Sequence, residues 1–329
     1  MIAAACGNDD DGGETSEEQM SDDAGEPAEA GEGDAPEELV SITVGILPVA
    51  DLAPLYYGIE QGFFEEEGLE VTTEVGQGGA ALVPAVETGE MQFAFGNYVS
   101  LMLARQNNVG VQIVSHVVSG AETPDRGTNA LLVAPDSGIE TIDDLAGRTF
   151  AVSTLNNVGE VNIRTTLRSN GVDDSDIEFI ELPFPDMNAA VEAGEVDVAW
   201  TAEPFITLGE AARLVNLGDP MFETMPSLPL AGMFASEDWL EDNPELAEGF
   251  FRAMQRSLEA SEDEQAMRDA IVANTETPPD IVPELALANW EPELDTDNLA
   301  RLGELAADYG ILDAEPDVDE LVWTPAAEG

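Results

Sequence analysis

The side chains that could catalyse a reaction or hold a metal are scarce in this sequence. Its 329 residues contain one cysteine, Cys6, and one histidine, His116, and all ten basic residues are arginines. A zinc site usually needs several cysteine or histidine ligands, and Schiff-base chemistry needs a lysine amine. We therefore predict a non-enzymatic protein with no metal, no cofactor and no catalytic residue. His116 stands in an apolar run, which favours a core position.

Residues suited to binding are concentrated in short loops. The stretch Gly78, Gly79 and Ala80 opens a helix-like segment, where backbone N–H groups can face a ligand. Tyr98 and Trp200 each follow a β-rich run, and two such rings across a cleft would hold a flat or apolar group. The alternative is that these rings pack in the core or at a hinge.

Polar side chains stand in the same loops, and six of them are candidate ligand contacts: Asp51, Asn97, Asn156, Asn157, Asp186 and Glu203. The adjacent asparagines could equally cap a helix, and so could the glutamate. None of these loops contains a basic residue, and only Arg126, in a neighbouring segment, could reach in. We predict a neutral or partly cationic, nitrogen-bearing and flat solute.

The elements that carry these loops follow a repeated order. Strand-like SITVGI (41–46) and LEVTTEV (69–75) enclose a helix-like segment, and this alternation predicts right-handed βαβ units. The order restarts near residue 149, because AVETGEMQFAFGNY (85–98) aligns with AVEAGEVDVAWTAE (190–203) at an offset of 105 residues. We therefore predict an α/β fold of two similar lobes, with a small-molecule solute in the crevice beyond the strand ends.

The N-terminal region differs sharply from the rest of the chain. Residues 7–38 carry 14 acids and no base, with few apolar side chains, which predicts a disordered tether. Three alanines precede Cys6, so we expect a lipidated cysteine; the alternative is an ordinary thiol. No apolar run is long enough to span a membrane, so any membrane link would be this lipid anchor. The net charge of −59 disfavours nucleic acid as a partner.

Several longer stretches resemble the substrate-binding proteins of ABC importers, in the subgroup for nitrate, sulfonates, taurine and thiamine-precursor pyrimidines. The most specific are GFFEEEGLEV (62–71), DLAGRTFAV (144–152) and DVAWTAEPF (197–205). The resemblance covers about residues 40–312. It implies the two-lobed periplasmic-binding-protein fold of type II, with mainly parallel sheets and two crossovers.

The resemblance also implies boundaries, contacts and partners. Lobe 1 would combine 39–129 with 224–329, lobe 2 would be 130–223, and 1–38 would be the tether. The ligand contacts would be the residues named above, on both lobes. Such a protein is an extracytoplasmic monomer, periplasmic or lipid-anchored on the outer face of the cell membrane, and delivers its solute to an ABC permease. The alternatives are an enzyme like the fungal pyrimidine synthase, which the lack of lysine disfavours, and a ligand sensor for a receptor.

Overall fold

The computed structural model describes residues 39–76, 78–123 and 127–325. The predicted tether with Cys6, and also Arg126, lie outside these ranges. Within them, no helix is both long enough and apolar enough to cross a lipid bilayer.

Eleven strands and thirteen α-helices make up the described part of the chain. The strands are β1 (Val40–Ile46), β2 (Leu69–Val75), β3 (Phe93–Asn97), β4 (Val111–Ser119), β5 (Asn129–Val133), β6 (Thr149–Val152), β7 (Glu178–Glu181), β8 (Val198–Ala202), β9 (Val215–Asn216), β10 (Pro229–Ser236) and β11 (Asn289–Trp290). The helices are α1 (Ala53–Glu60), α2 (Phe63–Glu66), α3 (Gly79–Glu87), α4 (Tyr98–Gln106), α5 (Val158–Ser169), α6 (Phe184–Ala193), α7 (Phe205–Ala211), α8 (Pro220–Thr224), α9 (Glu237–Asp242), α10 (Pro244–Glu259), α11 (Glu264–Asn274), α12 (Thr296–Asp308) and α13 (Val318–Leu321).

The strands form two separate sheets, and we call the part of the chain around each sheet a lobe. The first lobe has six strands in the order β11-β4-β10-β3-β1-β2, and the second has five in the order β7-β6-β8-β5-β9. The helices cover these sheets with apolar faces; α10, for example, buries Phe250 and Met254 while its charged side chains face outward. An α/β fold with two lobes is therefore confirmed.

The two sheets share one topology, which explains the repeat in the sequence. The order β4-β10-β3-β1-β2 in the first lobe corresponds to β9-β5-β8-β6-β7 in the second. Strand β3 begins at Phe93 and β8 begins at Val198, so the structural equivalents lie at the offset of the sequence repeat. Strand β11 is the addition in the first lobe.

The strand directions refine the prediction of mainly parallel sheets. Four of the nine described strand pairings are parallel and five are antiparallel. Four of the five antiparallel pairings arise because β5 and β10, which enter from the other lobe, insert between strands that share one direction, and the fifth joins β11 to β4. The chain segments that lead into β5 and β10 are the two crossovers. The first sheet is therefore parallel apart from β10 and the short β11, and the second sheet is parallel apart from β5.

Candidate binding site

A small cavity lies between the two lobes, at the edges where β3 and β8 end. Its volume is about 40 Å³. The first lobe contributes Leu47, Val49, Asp51, Gly79, Phe95, Asn97, Leu230 and Ala231, and the second contributes Asn129, Ser153, Val158, Phe184, Trp200 and Ala202. Because both lobes supply its walls, the cavity exists only while they are closed on each other.

Three polar side chains in the cavity wall have atoms without a partner. Asp51 Oδ1, Asn129 Nδ2 and Trp200 Nε1 are buried and make no hydrogen bond within the part of the chain that the structure describes. A buried polar group without a partner costs about 1–3 kcal/mol. Two N–H donors and one carboxyl oxygen, all on residues that line one cavity, therefore make this cavity the candidate site for a ligand with polar groups.

Asp51 dominates the electrostatics of this cavity. Its side chain is 4% exposed, and burial, reinforced by the negative charge of Glu203, raises its pKa to about 7. No arginine, lysine or histidine is among the described residues that line the cavity. An anion would therefore meet a carboxyl group and no positive charge, whereas an N–H group could donate to Asp51.

Trp200 is the middle residue of β8, not a residue beyond its end, and its ring packs against the first turn of α5. A Cβ on Gly159 would lie 2.6 Å from ring atom Cε3 of Trp200, so glycine is required there for the ring to fit. Tyr98 does not face this ring. Its side chain is fully buried in the first lobe, and its hydroxyl lies 2.6 Å from Nδ1 of His116.

The expected sandwich between Tyr98 and Trp200 is thus corrected. Tyr98 is the first residue of α4, and the helix turns its ring into the sheet instead of the crevice. His116 uses both ring nitrogens, on the hydroxyls of Tyr98 and Ser119, and is 3% exposed. Burial lowers its pKa to about 4, so it is the neutral core histidine that its apolar neighbours indicate.

The loop before α3 brings the lobes into close approach. A Cβ on Gly78 would lie 2.6 Å from the carbonyl oxygen of Ser153 and 2.5 Å from Oγ1 of Thr154, both in the second lobe. Gly79 lines the cavity and lies against the backbone of the first lobe, whereas Ala80 is half-buried outside the lining. Gly78 therefore allows the two lobes to approach closely, and Gly79 is the one of the three residues that lines the cavity.

Asn97 has a structural role as well as a place in the wall. Its Oδ1 accepts from the backbone N–H of Ser100 and so caps α4, and it also accepts at 3.4 Å from Val158 N–H of the second lobe. Asn157 caps α5 through the N–H of Glu160, and Asn156 is exposed. Neither of the adjacent asparagines lines the cavity, so the capping alternative describes Asn157.

Glu203 is buried but lies outside the cavity lining, because its carboxylate is used elsewhere. Its oxygens accept from the N–H and hydroxyl of Thr207 and, at 3.1 Å, from the N–H of Ala286. Its backbone oxygen accepts from Ala50 N–H at 2.9 Å. Glu203 therefore joins β8 to two segments of the first lobe. Asp186 is exposed in the first turn of α6 and does not line the cavity.

Asn129 and Phe184 are lining residues that the sequence analysis missed. Asn129 is the first residue of β5 and pairs with Ala202, the last residue of β8. Because β5 enters antiparallel, its beginning lies at the same edge as the ends of the parallel strands. The polar residue just before the apolar run ALLV was the available signal. Phe184 begins α6, and Asp186, two positions later, points away from it.

Two similar α/β lobes, joined by two crossovers and closed on a mainly apolar cavity with a few polar side chains, define the class of two-lobed periplasmic binding proteins. The family model described as NMT1/THI5 like matches residues 49–266, which is more than half of the chain. The chain belongs to the NMT1/THI5-like family.

Relatives with similar sequences are named for several solutes. The chain is 26% identical over 225 residues to the riboflavin-binding protein RibY of Chloroflexus aurantiacus, covering 67% of this chain and 61% of RibY. It is 21% identical to the formylaminopyrimidine-binding protein of Halalkalibacterium halodurans, and the match covers 68% of this chain and 66% of that protein. It is 24% identical to the nitrate import ATP-binding protein NrtC of a Synechocystis strain, and the match covers 71% of this chain and 37% of NrtC. The chain thus spans less than two thirds of each of these relatives.

Solved structures share the fold at low sequence identity. The alkanesulfonate-binding protein SsuA from Xanthomonas axonopodis pv. citri, bound to MOPS, matches with a TM-score of 0.73 and 16% identity. The match covers 87% of this chain and 99% of SsuA. This similarity confirms the predicted periplasmic-binding-protein fold.

Proposed function

We propose that the protein is an extracytoplasmic solute-binding protein, whose two lobes close on a small organic molecule and deliver it to an ABC permease. The observation that carries this proposal is the cavity at the lobe interface, where Asp51, Asn129 and Trp200 each leave a buried polar atom without a partner among the described residues. A ligand that pairs with these atoms would recover hydrogen bonds that closure alone leaves unmade.

The proposed solute is neutral or cationic and carries both N–H donors and an acceptor. Asp51 would accept an N–H, and the N–H groups of Asn129 and Trp200 would donate to a ring nitrogen or a carbonyl oxygen. The indole of Trp200 also offers a flat apolar face. An aminopyrimidine has this pattern of groups on one flat ring, and one relative is named for binding a formylaminopyrimidine.

Binding, with no bond chemistry, is the proposed activity. Relatives named as binding proteins support this, and no lysine, cysteine or histidine that could act as a nucleophile or Schiff-base partner is among the described residues of the cavity wall. We further propose the lobe boundaries expected from the sequence, 39–129 plus 224–329 for lobe 1 and 130–223 for lobe 2, moved by one residue so that Asn129, the first residue of β5, belongs to lobe 2. We also propose that the protein works as a monomer. It would be held near its permease by the tether and a lipid on Cys6.

Native mass spectrometry of the protein purified without unfolding tests the proposed solute directly. We expect a bound small molecule that is released on mild activation and whose mass and fragments indicate an amino-substituted heterocycle. Recovery of nitrate or a sulfonate as the bound species would contradict the proposed chemistry, while the solute-binding role itself would stand.

A further inference from the structure

A second and larger space lies between the lobes, next to the cavity. This apolar groove has a volume of about 480 Å³, and its walls include Ile46, Pro48 and Val75 of the first lobe and Pro185, Phe205 and Leu208 of the second. Ligand pockets commonly measure about 300–1,000 Å³, so the groove is large enough for a ring-sized group. The cavity beside Asp51, at about 40 Å³, is much smaller.

The chain that leaves β1 separates the groove from the cavity on one side. Leu47 and Val49 line the cavity, whereas Ile46 and Pro48 line the groove. The chain turns sharply at Pro48, where the N–H of Val49 donates to the carbonyl oxygen of Leu47 at 2.9 Å. One thickness of chain therefore stands between the two spaces here.

A pair of aromatic rings separates them on the other side. Phe184, the first residue of α6, lines the cavity, and the next residue, Pro185, lines the groove. Phe205, the first residue of α7, lines the groove and stacks on Phe184 with ring centroids 6.2 Å apart and an interplanar angle of 6°. The partition between the spaces is thus a single stacked pair of rings.

The wall of the groove also contains polar side chains, none of them cationic. Tyr56 belongs to this wall, and its hydroxyl has no hydrogen-bond partner within the described ranges of the chain; burial raises its pKa to about 12, so it stays protonated. Thr277 and the exposed Glu276 also line the groove, and no basic residue is among the described lining residues. Such a lining disfavours an anion and accepts an uncharged group with a hydrogen-bonding atom.

We propose that the apolar groove is a second compartment of the solute site, which takes an uncharged, ring-sized apolar group with a hydrogen-bonding atom at its end. This inference rests on the proposed function, because the groove is formed by the same closure of the lobes. Phe184 is then a specificity-determining residue. Its ring divides the compartments, so its size sets how far a solute held at Asp51 can extend toward Tyr56.

The groove can be tested apart from the solute with the neutral fluorophore N-phenyl-naphthylamine, whose emission rises in apolar surroundings. We expect saturable binding to the full-length protein and a loss of about tenfold or more in affinity for Val75→Asp, which places a charge in the wall. Val75 is 67% exposed, so the variant should fold. Val215→Asp, at an exposed valine outside the groove, is the matched control and should bind like the wild type. Equal binding by both variants, or no saturable binding to the wild type, would overturn the proposal.

A second titration shows whether the apolar group belongs to the solute. Aminopyrimidine and aminoquinazoline share a polar edge and differ by one fused apolar ring. We expect Phe184→Ala to raise the preference for aminoquinazoline over aminopyrimidine by about tenfold, and aminoquinazoline to displace the fluorophore. Binding of aminoquinazoline without displacement would refute a shared site. If neither heterocycle binds while Val75→Asp still weakens the fluorophore, the proposed solute fails and the groove assignment is supported.

Discussion

Asp51 is the residue on which the chemistry of the cavity depends most. It is buried with no positively charged partner in the part of the chain that the structure describes. Its pKa of about 7 means that the folded protein retains a proton that the unfolded chain releases near the ordinary pKa of 3.8. Between these two values the folded state binds more protons than the unfolded state. Stability contributed by the protonated form is therefore full below about pH 4 and is lost as the pH rises towards 7.

The first prediction follows for Asp51→Asn, which keeps the shape of the side chain but cannot ionise. In the absence of solute, we expect this variant to melt at a higher temperature than the wild type at pH 8, by several degrees, and to match it at pH 4. Differential scanning fluorimetry across this range measures the difference. Asp186→Asn, at an exposed carboxylate, is the control. A variant that is less stable than the wild type at pH 8 would contradict the burial argument.

The indole of Trp200 leads to a second prediction for a single residue, because substitutions can test the contributions of its ring and of its N–H independently. Trp200→Phe keeps an aromatic face and removes Nε1, which has no hydrogen-bond partner within the described ranges. We expect solute affinity to fall about tenfold, which is the size of one hydrogen bond, and Trp200→Ala to lose about 1–3 kcal/mol in total. Competition against the co-purified solute measures both. Unchanged affinity for Trp200→Phe would place the solute away from the indole N–H.

At the scale of secondary-structure elements, much of the fold was predictable and part of the site was not. The offset between 85–98 and 190–203 predicted the equivalence of β3 and β8, because the residues that form each βαβ unit lie close together in the sequence. Asn129 was not anticipated, since it lies at the beginning of a strand and becomes part of the crevice only through an antiparallel crossover. The orientation of the Tyr98 ring was predicted wrongly. Tyr98 is the first residue of α4, and a shift of one position along a helix turns a side chain towards a different side.

The approach of the loop before α3 to the second lobe leads to a prediction about closure. In Gly78→Ala the added methyl would lie 2.5–2.6 Å from atoms of Ser153 and Thr154. Since this contact is made only across the lobes, we expect solute affinity to fall about tenfold or more while the melting temperature without solute changes little. Small-angle scattering should show a larger radius of gyration with saturating solute than the wild type has. Wild-type affinity would contradict the account of the closed cleft.

For the whole molecule, the net charge is the dominant feature. There are 69 acidic residues and ten arginines, so the folded surface repels itself. Raising salt from about 0.1 M to 1 M shortens the screening length from about 10 Å to 3 Å. We expect sodium chloride over this range to raise the melting temperature by about 5 °C or more. A parallel series with uncharged sucrose is the control, because sucrose stabilises proteins by being excluded from their surface and does not screen charge. A melting temperature that does not change with salt would contradict the argument.

The central claim is that the two lobes close on a neutral or cationic solute that donates N–H to Asp51. Calorimetric titration of the full-length protein with aminopyrimidine, nitrate, taurine and an alkanesulfonate at one pH and ionic strength tests it most directly. The account predicts saturable binding of aminopyrimidine, weakened at least tenfold in Asp51→Asn, and no measurable heat of binding for nitrate or the sulfonates. Tight binding of nitrate or a sulfonate, unaffected by Asp51→Asn, would contradict it.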